Sequence, residues 1–273
     1  KHADMRDLAK QCRSAHNPLL ITYSWIPRDE NSHADRLANK ALDGGSAHKL
    51  EPQIQQNYLS ERLRSDEVPT MIYMVRHGET VLTPMRKFSG TGPLNPELTE
   101  KGLSQAAAVA KEIAKLKPEV IVASPLARTT QTAEAISAAT GIEITFDEIW
   151  YELSFGDWDG LSFEEVKEKS PDEYQAWLNS SSYAPGGGES YDEAGVRIES
   201  ALQKIAAEYP GQRVVVVTHN GVIKLAAQIV TGAPTQAVFH IDAAPCSITS
   251  ISIWPSDGLR ALRSLNETGH FRT

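Results

Sequence analysis

The hydrophobic residues between positions 71 and 217 fall into short unbroken runs that alternate with longer stretches of helical periodicity. Runs of adjacent apolar residues, with no alternation between apolar and polar, are typical of strands that are covered on both faces of a sheet. In the intervening stretches the apolar residues recur every three or four positions, which predicts amphipathic helices. The predicted strands are Met71–Val75, Glu119–Ala123 and Arg213–Val217, and the predicted helices are Leu103–Leu116, Thr129–Ala139 and Val196–Ala207.

This order of elements predicts an α/β fold for residues 71–273. Parallel strands need long crossover connections, and helices of this length supply them. We therefore predict a three-layer α/β/α arrangement around a mostly parallel, doubly wound sheet. A further strand-like run lies at Ile248–Ile253.

The first 44 residues have a different pattern. Their periodicity predicts helices at Asp4–Arg13 and Ala34–Leu42 and one strand at Leu19–Trp25. So few elements cannot bury much surface by themselves, which leaves an N-terminal arm or the remnant of a larger domain as interpretations. Residues 45–70 are polar and predict a linker.

The composition narrows the classes of partner. The chain has 273 residues and a formal net charge of −8, and the acidic excess belongs wholly to residues 71–273. Because nucleic acids are held mainly by clustered Lys and Arg, we expect this chain not to bind them. Two distant cysteines, Cys12 and Cys246, favour a reducing compartment, and no apolar run is long enough to span a membrane. A cytoplasmic location is expected.

Cationic side chains follow the three predicted strands. Arg76 and His77 come directly after the first, Arg128 follows the second and His219 follows the third. In a parallel sheet the carboxyl ends of the strands meet at one crevice, where ligands bind. Arginines and histidines gathered there predict a pocket for an anion, and phosphate fits the forked guanidinium best. Gly78 is expected to let the backbone approach the ligand closely.

These residues belong to a set of motifs that resembles the histidine phosphatase superfamily, also called the phosphoglycerate mutase-like family. The resemblance covers about residues 71–273. The motifs are Val75-Arg-His-Gly-Glu-Thr80, Phe88-Ser-Gly90, Leu98-Thr-Glu-Lys-Gly-Leu-Ser-Gln-Ala106, Ser124-Pro-Leu-Ala-Arg-Thr-Thr-Gln-Thr-Ala133, Glu152-Leu-Ser-Phe-Gly-Asp-Trp-Asp-Gly160, Gly187-Gly-Glu-Ser190 and Val217-Thr-His-Asn-Gly221.

The resemblance implies a role for each matching residue. His77 would be the nucleophile that becomes phosphorylated, and Glu152 would be the proton donor. Three residues would hold the phosphoryl oxygens, namely Arg76, Arg128 and His219. Four more would contact the substrate, namely Ser89 and Gly90 in a loop over it, Thr83 where many members have Asn, and Asn220 where Gly is common.

These roles agree with the chemistry of the residues. Two nearby guanidiniums disfavour a charged imidazole, so the pKa of His77 should fall. The aromatic surroundings of Glu152 should raise the pKa of its carboxyl by desolvation. The resemblance implies a metal-independent phosphomonoesterase, similar to α-ribazole phosphatases, that acts on a small phosphorylated metabolite and needs no cofactor. A phosphoglycerate mutase and a non-catalytic module that binds phosphorylated ligands are the alternatives.

The segment Trp25–Ala41 resembles the C-terminal end of a type 1 ribonuclease H. In that family the residue matching Asp35 is one of four carboxylates that hold two Mg²⁺ ions, which clamp both oxygens of the phosphodiester during cleavage. The other three would lie before Lys1. We therefore expect residues 1–44 to be a ribonuclease H remnant without nuclease activity, whereas an intact domain would bind an RNA–DNA hybrid. The combination is similar to the actinobacterial bifunctional ribonuclease H/acid phosphatases.

Overall fold

The computed structural model describes residues 66–272. The predictions for residues 1–44, for Asp35 and for nearly all of the linker at 45–70 fall outside the described residues. The prediction of an α/β fold with a mostly parallel sheet falls inside them, and the structure confirms it.

A six-stranded sheet forms the centre of the described region, in the order β3-β2-β4-β1-β5-β6. Neighbouring pairs among β3, β2, β4 and β1 are parallel, and β5 is antiparallel to both β1 and β6. Only β5 therefore opposes the other strands of this sheet. The strands are β1 (Thr70–Arg76), β2 (Val120–Ala123), β3 (Ile144–Phe146), β4 (Arg213–Thr218), β5 (Ile248–Ile253) and β6 (Arg260–Glu267).

The helices cover both faces of this sheet. They are α1 (Glu100–Lys115), α2 (Ala127–Thr140), α3 (Phe163–Lys169), α4 (Pro171–Asn179), α5 (Tyr191–Glu208) and α6 (Asn220–Thr231). The predicted helices correspond to α1, α2 and α5, which begin three, two and five residues earlier than predicted. Within residues 66–272 no helix is both long and apolar enough to cross a bilayer.

Two hydrophobic clusters show why the strands are apolar without alternation. On one face, Val214 and Val216 of β4 pack with the buried sides of α5 and α6. On the other face, Val215 and Val217 pack with those of α1 and α2. All four valines are fully buried, as expected for a strand between two helical layers.

The short helices α3 and α4 carry an aromatic cluster that we call the aromatic wall. Trp177 of α4 is its centre and contacts the rings of Phe88, Phe163, Tyr191 and Phe239 at centroid distances between 5.4 and 6.3 Å. The wall fixes α3 and α4 against the loop that follows β1. It therefore stands beside the carboxyl end of β1.

Candidate active site

The two histidines of the predicted pocket are neighbours across two paired strands. Arg76 at the end of β1 pairs with Thr218 at the end of β4, and the backbone N–H of His77 donates to the carbonyl of Thr218 at 3.0 Å. His219 follows at once and caps the start of α6. The rings of His77 and His219 lie with centroids 5.3 Å apart, and both side chains are buried.

His77 has a defined protonation state. Its Nδ1 lies 2.8 Å from the carbonyl oxygen of Gly78, which can only accept, so Nδ1 carries the hydrogen of the neutral ring. The lone pair is then on Nε2. Burial and, after it, the charges of Arg128 and Arg76 hold the pKa of His77 well below its usual 6.5. The prediction named the guanidiniums, but desolvation is the larger cause.

Gly78 has a packing role that was not predicted from the sequence. A Cβ at this position would lie 2.6 Å from the carbonyl oxygen of Gly102, in the first turns of α1. Its N–H donates to Oγ1 of Thr132 at 3.1 Å. Glycine is therefore required here because the strand end packs closely on α1, which leaves no room for a Cβ.

Two guanidiniums, of the buried Arg128 and the half-buried Arg76, have unused donors. Arg128 is fully buried, and only its Nη2 is bonded, to the carbonyls of Ser89 at 3.0 Å and Gly90 at 3.1 Å. Arg76 donates from Nη1 to the carbonyl of Ala243 at 2.6 Å. Within the part of the chain that the structure describes, Nε of Arg76 and both Nε and Nη1 of Arg128 have no partner. Burial lowers the pKa of Arg128 to about 10.

His219 is held at one nitrogen. Its Nε2 lies 2.8 Å from Oγ of Ser124, while its Nδ1 has no partner among residues 66–272. Burial, followed by the charge of Arg128, keeps the pKa of His219 well below 6.5. Buried polar groups without partners are costly, so unbonded groups on Arg76, Arg128 and His219 together suit an oxyanion that would bond to them.

Glu152 is a buried carboxyl close to these cations. Its Oε2 accepts the N–H of Gly221 at 3.1 Å, and its Oε1 accepts the N–H of Leu153 at 3.1 Å. Burial raises the pKa of Glu152 despite these bonds and despite the attraction of Arg128 and Arg76. The group can therefore hold a proton at a pH where an exposed carboxyl is ionised.

The residues around Glu152, 149–154, form what we call the acid loop. Arg197 of α5 donates from Nη1 to the carbonyls of Ile149 at 2.8 Å and Tyr151 at 3.0 Å, and it binds Glu189 through its other two nitrogens. Oγ1 of Thr218 donates to the carbonyl of Trp150 at 2.8 Å. The acid loop is thus fixed by its own carbonyls to β4 and α5.

The predicted substrate-contacting residues lie near this centre. The loop of Ser89 and Gly90 supplies the carbonyls that hold Arg128, and Asp159 accepts the N–H of Gly90 at 2.6 Å. Thr83 accepts the N–H of Thr80 at 3.1 Å. Asn220 is the first residue of α6, and its Oδ1 accepts the N–H of Ala243 at 3.2 Å.

A cavity of about 390 Å³ opens beside these groups. Arg76, Glu152, Thr83, Ser89 and Asn220 all line it. The lining also includes aromatic and charged side chains, namely Phe88, Phe155, Phe163, Trp177, Tyr191, Arg86, Lys87, Lys224 and Asp242. No three His, Cys, Asp or Glu side chains between residues 66 and 272 are placed to share a metal ion.

Three residues near the site were not found from the sequence. Arg197 and Asp159 act on backbone groups of neighbouring loops, and such contacts leave no spacing pattern. Lys224 did carry a signal, because it is the sole charged residue between Asn220 and Thr231.

Comparison with known proteins gives consistent matches. Residues 72–268 match the family model of the histidine phosphatase superfamily, branch 1. The chain is 32% identical over 281 residues to the bifunctional protein Rv2228c of Mycobacterium tuberculosis, covering 99% of this chain and 76% of that protein. It is 36% identical over 169 residues to the metal-independent phosphoserine phosphatase of Arabidopsis thaliana, covering 60% and 70%.

A solved structure gives the same result for the fold. The mycobacterial glucosyl-3-phosphoglycerate phosphatase Rv2419c, determined with VO3, superposes with a TM-score of 0.67 at 28% identity. The superposition covers 73% of this chain and 100% of that one.

Proposed function

The chain belongs to the histidine phosphatase superfamily and is a phosphoric monoester hydrolase, and we propose that it works through a phosphohistidine formed on His77. The observation that carries this proposal is the hydrogen bond from Nδ1 of His77 to the Gly78 carbonyl, which leaves the lone pair on Nε2. A neutral, oriented imidazole beside two guanidiniums is a suitable nucleophile for a phosphoryl group.

In the first step, Nε2 of His77 attacks phosphorus and the bond from phosphorus to the ester oxygen breaks. Arg76 and Arg128 bind the phosphoryl oxygens, whose negative charge they stabilise in the transition state, and His219 contributes a further contact. Glu152 gives its proton to the departing oxygen, so the alcohol leaves neutral.

In the second step, water attacks the phosphorus of phosphohistidine. The carboxylate of Glu152 takes one proton from this water while the bond from phosphorus to Nε2 breaks. Inorganic phosphate leaves, and both His77 and Glu152 return to their starting states. Protein side chains supply all of these roles, so we propose a metal-independent reaction, as the name of the Arabidopsis relative states for that protein.

Small phosphorylated metabolites are the proposed substrates. The relatives named above act, by their names, on phosphoserine and on glucosyl-3-phosphoglycerate. A cavity of about 390 Å³ has room for the alcohol part of either ester, and also for α-ribazole. A panel of phosphate esters that includes α-ribazole 5′-phosphate identifies the preferred alcohol.

The decisive experiment traps the intermediate with a labelled phosphate ester in the presence of EDTA. We expect wild type to carry acid-labile label and His77→Ala to carry none. His240→Ala, which changes an exposed histidine, is the control and should be labelled like wild type. Label on His77→Ala would overturn the assignment, and loss of turnover in EDTA would overturn metal independence.

Two further outcomes separate the alternatives. Exchange of label between phosphoglycerates in place of phosphate release would support a mutase, and binding without turnover of any ester would support a non-catalytic module. For residues 1–44 we propose no nuclease activity, because Asp35 is a single carboxylate. Robust cleavage of an RNA–DNA hybrid with Mn²⁺ would contradict that proposal.

A further inference from the structure

Helix α6 is apolar apart from one lysine. Between Asn220 and Thr231 the sole charged residue is Lys224, and the residues on either side of it, Ile223 and Leu225, are fully buried. A lysine in such a helix usually extends to bulk solvent. Lys224 lies one turn after Asn220, on the same side of the helix, and both line the catalytic cavity.

The ammonium of Lys224 forms neither a hydrogen bond nor a salt bridge with any residue that the structure describes. Lys87, in the same cavity, differs because its Nζ lies 3.6 Å from Glu165. Burial lowers the pKa of Lys224, and the charge of Arg76 lowers it further, while Glu152 and Asp242 raise it. The lysine is therefore partly desolvated and repelled by a catalytic cation, without a bonded counterion.

The other charges of the cavity indicate what kind of group would stabilise the Lys224 ammonium. Glu152 must be protonated to act as the acid, so it supplies no negative charge at that stage. Asp242 influences Arg76 as well as Lys224, and it is bonded to neither. The phosphoryl group uses Arg76 and Arg128. Two further cations of the cavity, Arg86 and Lys224, have side chains without a hydrogen-bonded or ion-paired partner among the described residues. Arg86 is exposed to solvent, whereas Lys224 is half-buried, so an anionic group in the cavity would stabilise Lys224 more.

We propose that Lys224 binds a second anionic group on the alcohol, so that the preferred substrates are phosphorylated hydroxy acids. This inference rests on the proposed function of the same site. Desolvated charge-assisted hydrogen bonds are strong, so the carboxylate should improve binding of the substrate and of the transition state. Lys224 is a specificity-determining residue and takes no part in phosphoryl transfer.

The test uses matched pairs of synthetic esters. One series consists of ω-phosphoryloxy carboxylates with two to five carbons, and the other consists of the corresponding primary amides, which have the same shape without the charge. The ratio of kcat/KM for acid over amide isolates the effect of the carboxylate, and four lengths cover the reach of Lys224. We expect wild type to prefer the acid by about tenfold to a hundredfold for at least one length.

Three variants assign this preference to the lysine. In Lys224→Met the ratio should fall to about one, because the side chain keeps its length without the charge. Lys224→Arg should retain a ratio above one. The control is Lys111→Met on the exposed side of α1, which should have the wild-type ratio. If Lys224→Met does not fold, Lys224→Gln replaces it and should likewise have a ratio of about one.

The outcomes separate this proposal from the proposed function. A wild-type ratio near one at every length, with p-nitrophenyl phosphate still hydrolysed, would overturn the lysine subsite and leave the phosphatase assignment intact. A high ratio that persists in Lys224→Met would also overturn it. Failure to hydrolyse any ester, including p-nitrophenyl phosphate, would overturn both.

Discussion

Arg197 holds Glu189 through two hydrogen bonds, from Nε to Oε1 at 3.0 Å and from Nη2 to Oε2 at 2.7 Å. The third nitrogen, Nη1, is thereby aimed at the carbonyls of Ile149 and Tyr151 in the acid loop. Glu189 is also anchored, because its N–H donates to the carbonyl of Ser154 at 2.7 Å. The two residues therefore fix both ends of the acid loop that carries Glu152.

We expect Arg197→Ala to impair proton donation more than phosphoryl transfer. An alkyl phosphate needs Glu152 in place because an alkoxide is a poor leaving group, whereas p-nitrophenolate leaves without a proton. Activity on an alkyl ester should fall by roughly tenfold to a hundredfold, and activity on p-nitrophenyl phosphate by less than about threefold. Steady-state kinetics on the two esters measure the difference.

The matched control for this variant is Lys204→Met. Lys204 is also on α5, and it binds Asp147 beside the acid loop in an exposed salt bridge, which contributes little. It should leave both activities near wild type. Equal losses on both esters in Arg197→Ala would mean that Arg197 is a general structural residue.

A methyl group at Gly221 should displace the acid. A Cβ there would lie 2.5 Å from Oε1 of Glu152 and 2.8 Å from Cδ1 of Leu153. We expect Gly221→Ala to lower kcat on alkyl phosphates by at least about tenfold, because misplacement of a catalytic group by an ångström is costly. Steady-state kinetics on an alkyl ester measure it, and unchanged kcat would show that Glu152 is not held by this contact.

In the neighbouring helix α5, a methyl group at Gly195 should stabilise the protein. A Cβ there would have one contact, at 3.9 Å from Cδ2 of Leu225, and the residue lies inside α5. We expect Gly195→Ala to raise the free energy of unfolding by about 0.5 to 1 kcal/mol, because alanine is the better helix former. Urea denaturation tests this, and destabilisation would contradict it.

The pH dependence of kcat should have an alkaline limb that belongs to Glu152. Burial raises the pKa of this carboxyl above 4.5, and activity on an alkyl ester should fall as the pH rises through that pKa. On the acidic side of this limb the His77 ring stays neutral, because its pKa is well below 6.5. Glu152→Gln should abolish the limb, and its persistence would assign the proton to another group.

Stability should decrease as the pH falls from about 7 to about 5. His77 and His219 stay neutral in the folded protein, because their pKa values lie well below 6.5, whereas the unfolded chain protonates both near pH 6.5. The unfolded state then binds more protons, so the free energy of unfolding falls, by up to about 1.4 kcal/mol per pH unit for each histidine. Urea midpoints should depend less on pH when both are replaced by Gln, and an equal slope would contradict this origin.

The strands and the site residues that could be predicted from the sequence are determined by residues close to one another in the chain. The four buried valines of β4 need two helical layers, and His219 follows them directly, so the strand and its terminal chemistry come from one continuous segment. The same applies to β1 and His77. Parallel pairing of β1 and β4 then brings their carboxyl ends together, so no long-range contact has to be predicted separately.

The residues that escaped prediction act across the chain. Arg197 and Asp159 bond to backbone atoms of loops, and any residue type supplies a backbone carbonyl or N–H, so sequence shows no pairing. The packing role of Gly78 could not be predicted for a related reason. The atom that excludes a side chain there belongs to Gly102, and only the packing of α1 brings it close.

The aromatic wall has a consequence for how this protein could change during evolution. The cations proposed to bind phosphate follow β1, β2 and β4, whereas Phe163 and Trp177, which line the same cavity, come from α3 and α4. One part of the alcohol pocket therefore lies in a segment of chain separate from the strand ends. An exchange of residues 161–183 between homologues would transfer the part of the alcohol preference that α3 and α4 set, and it would leave Lys224 and the residues proposed for phosphoryl transfer unchanged.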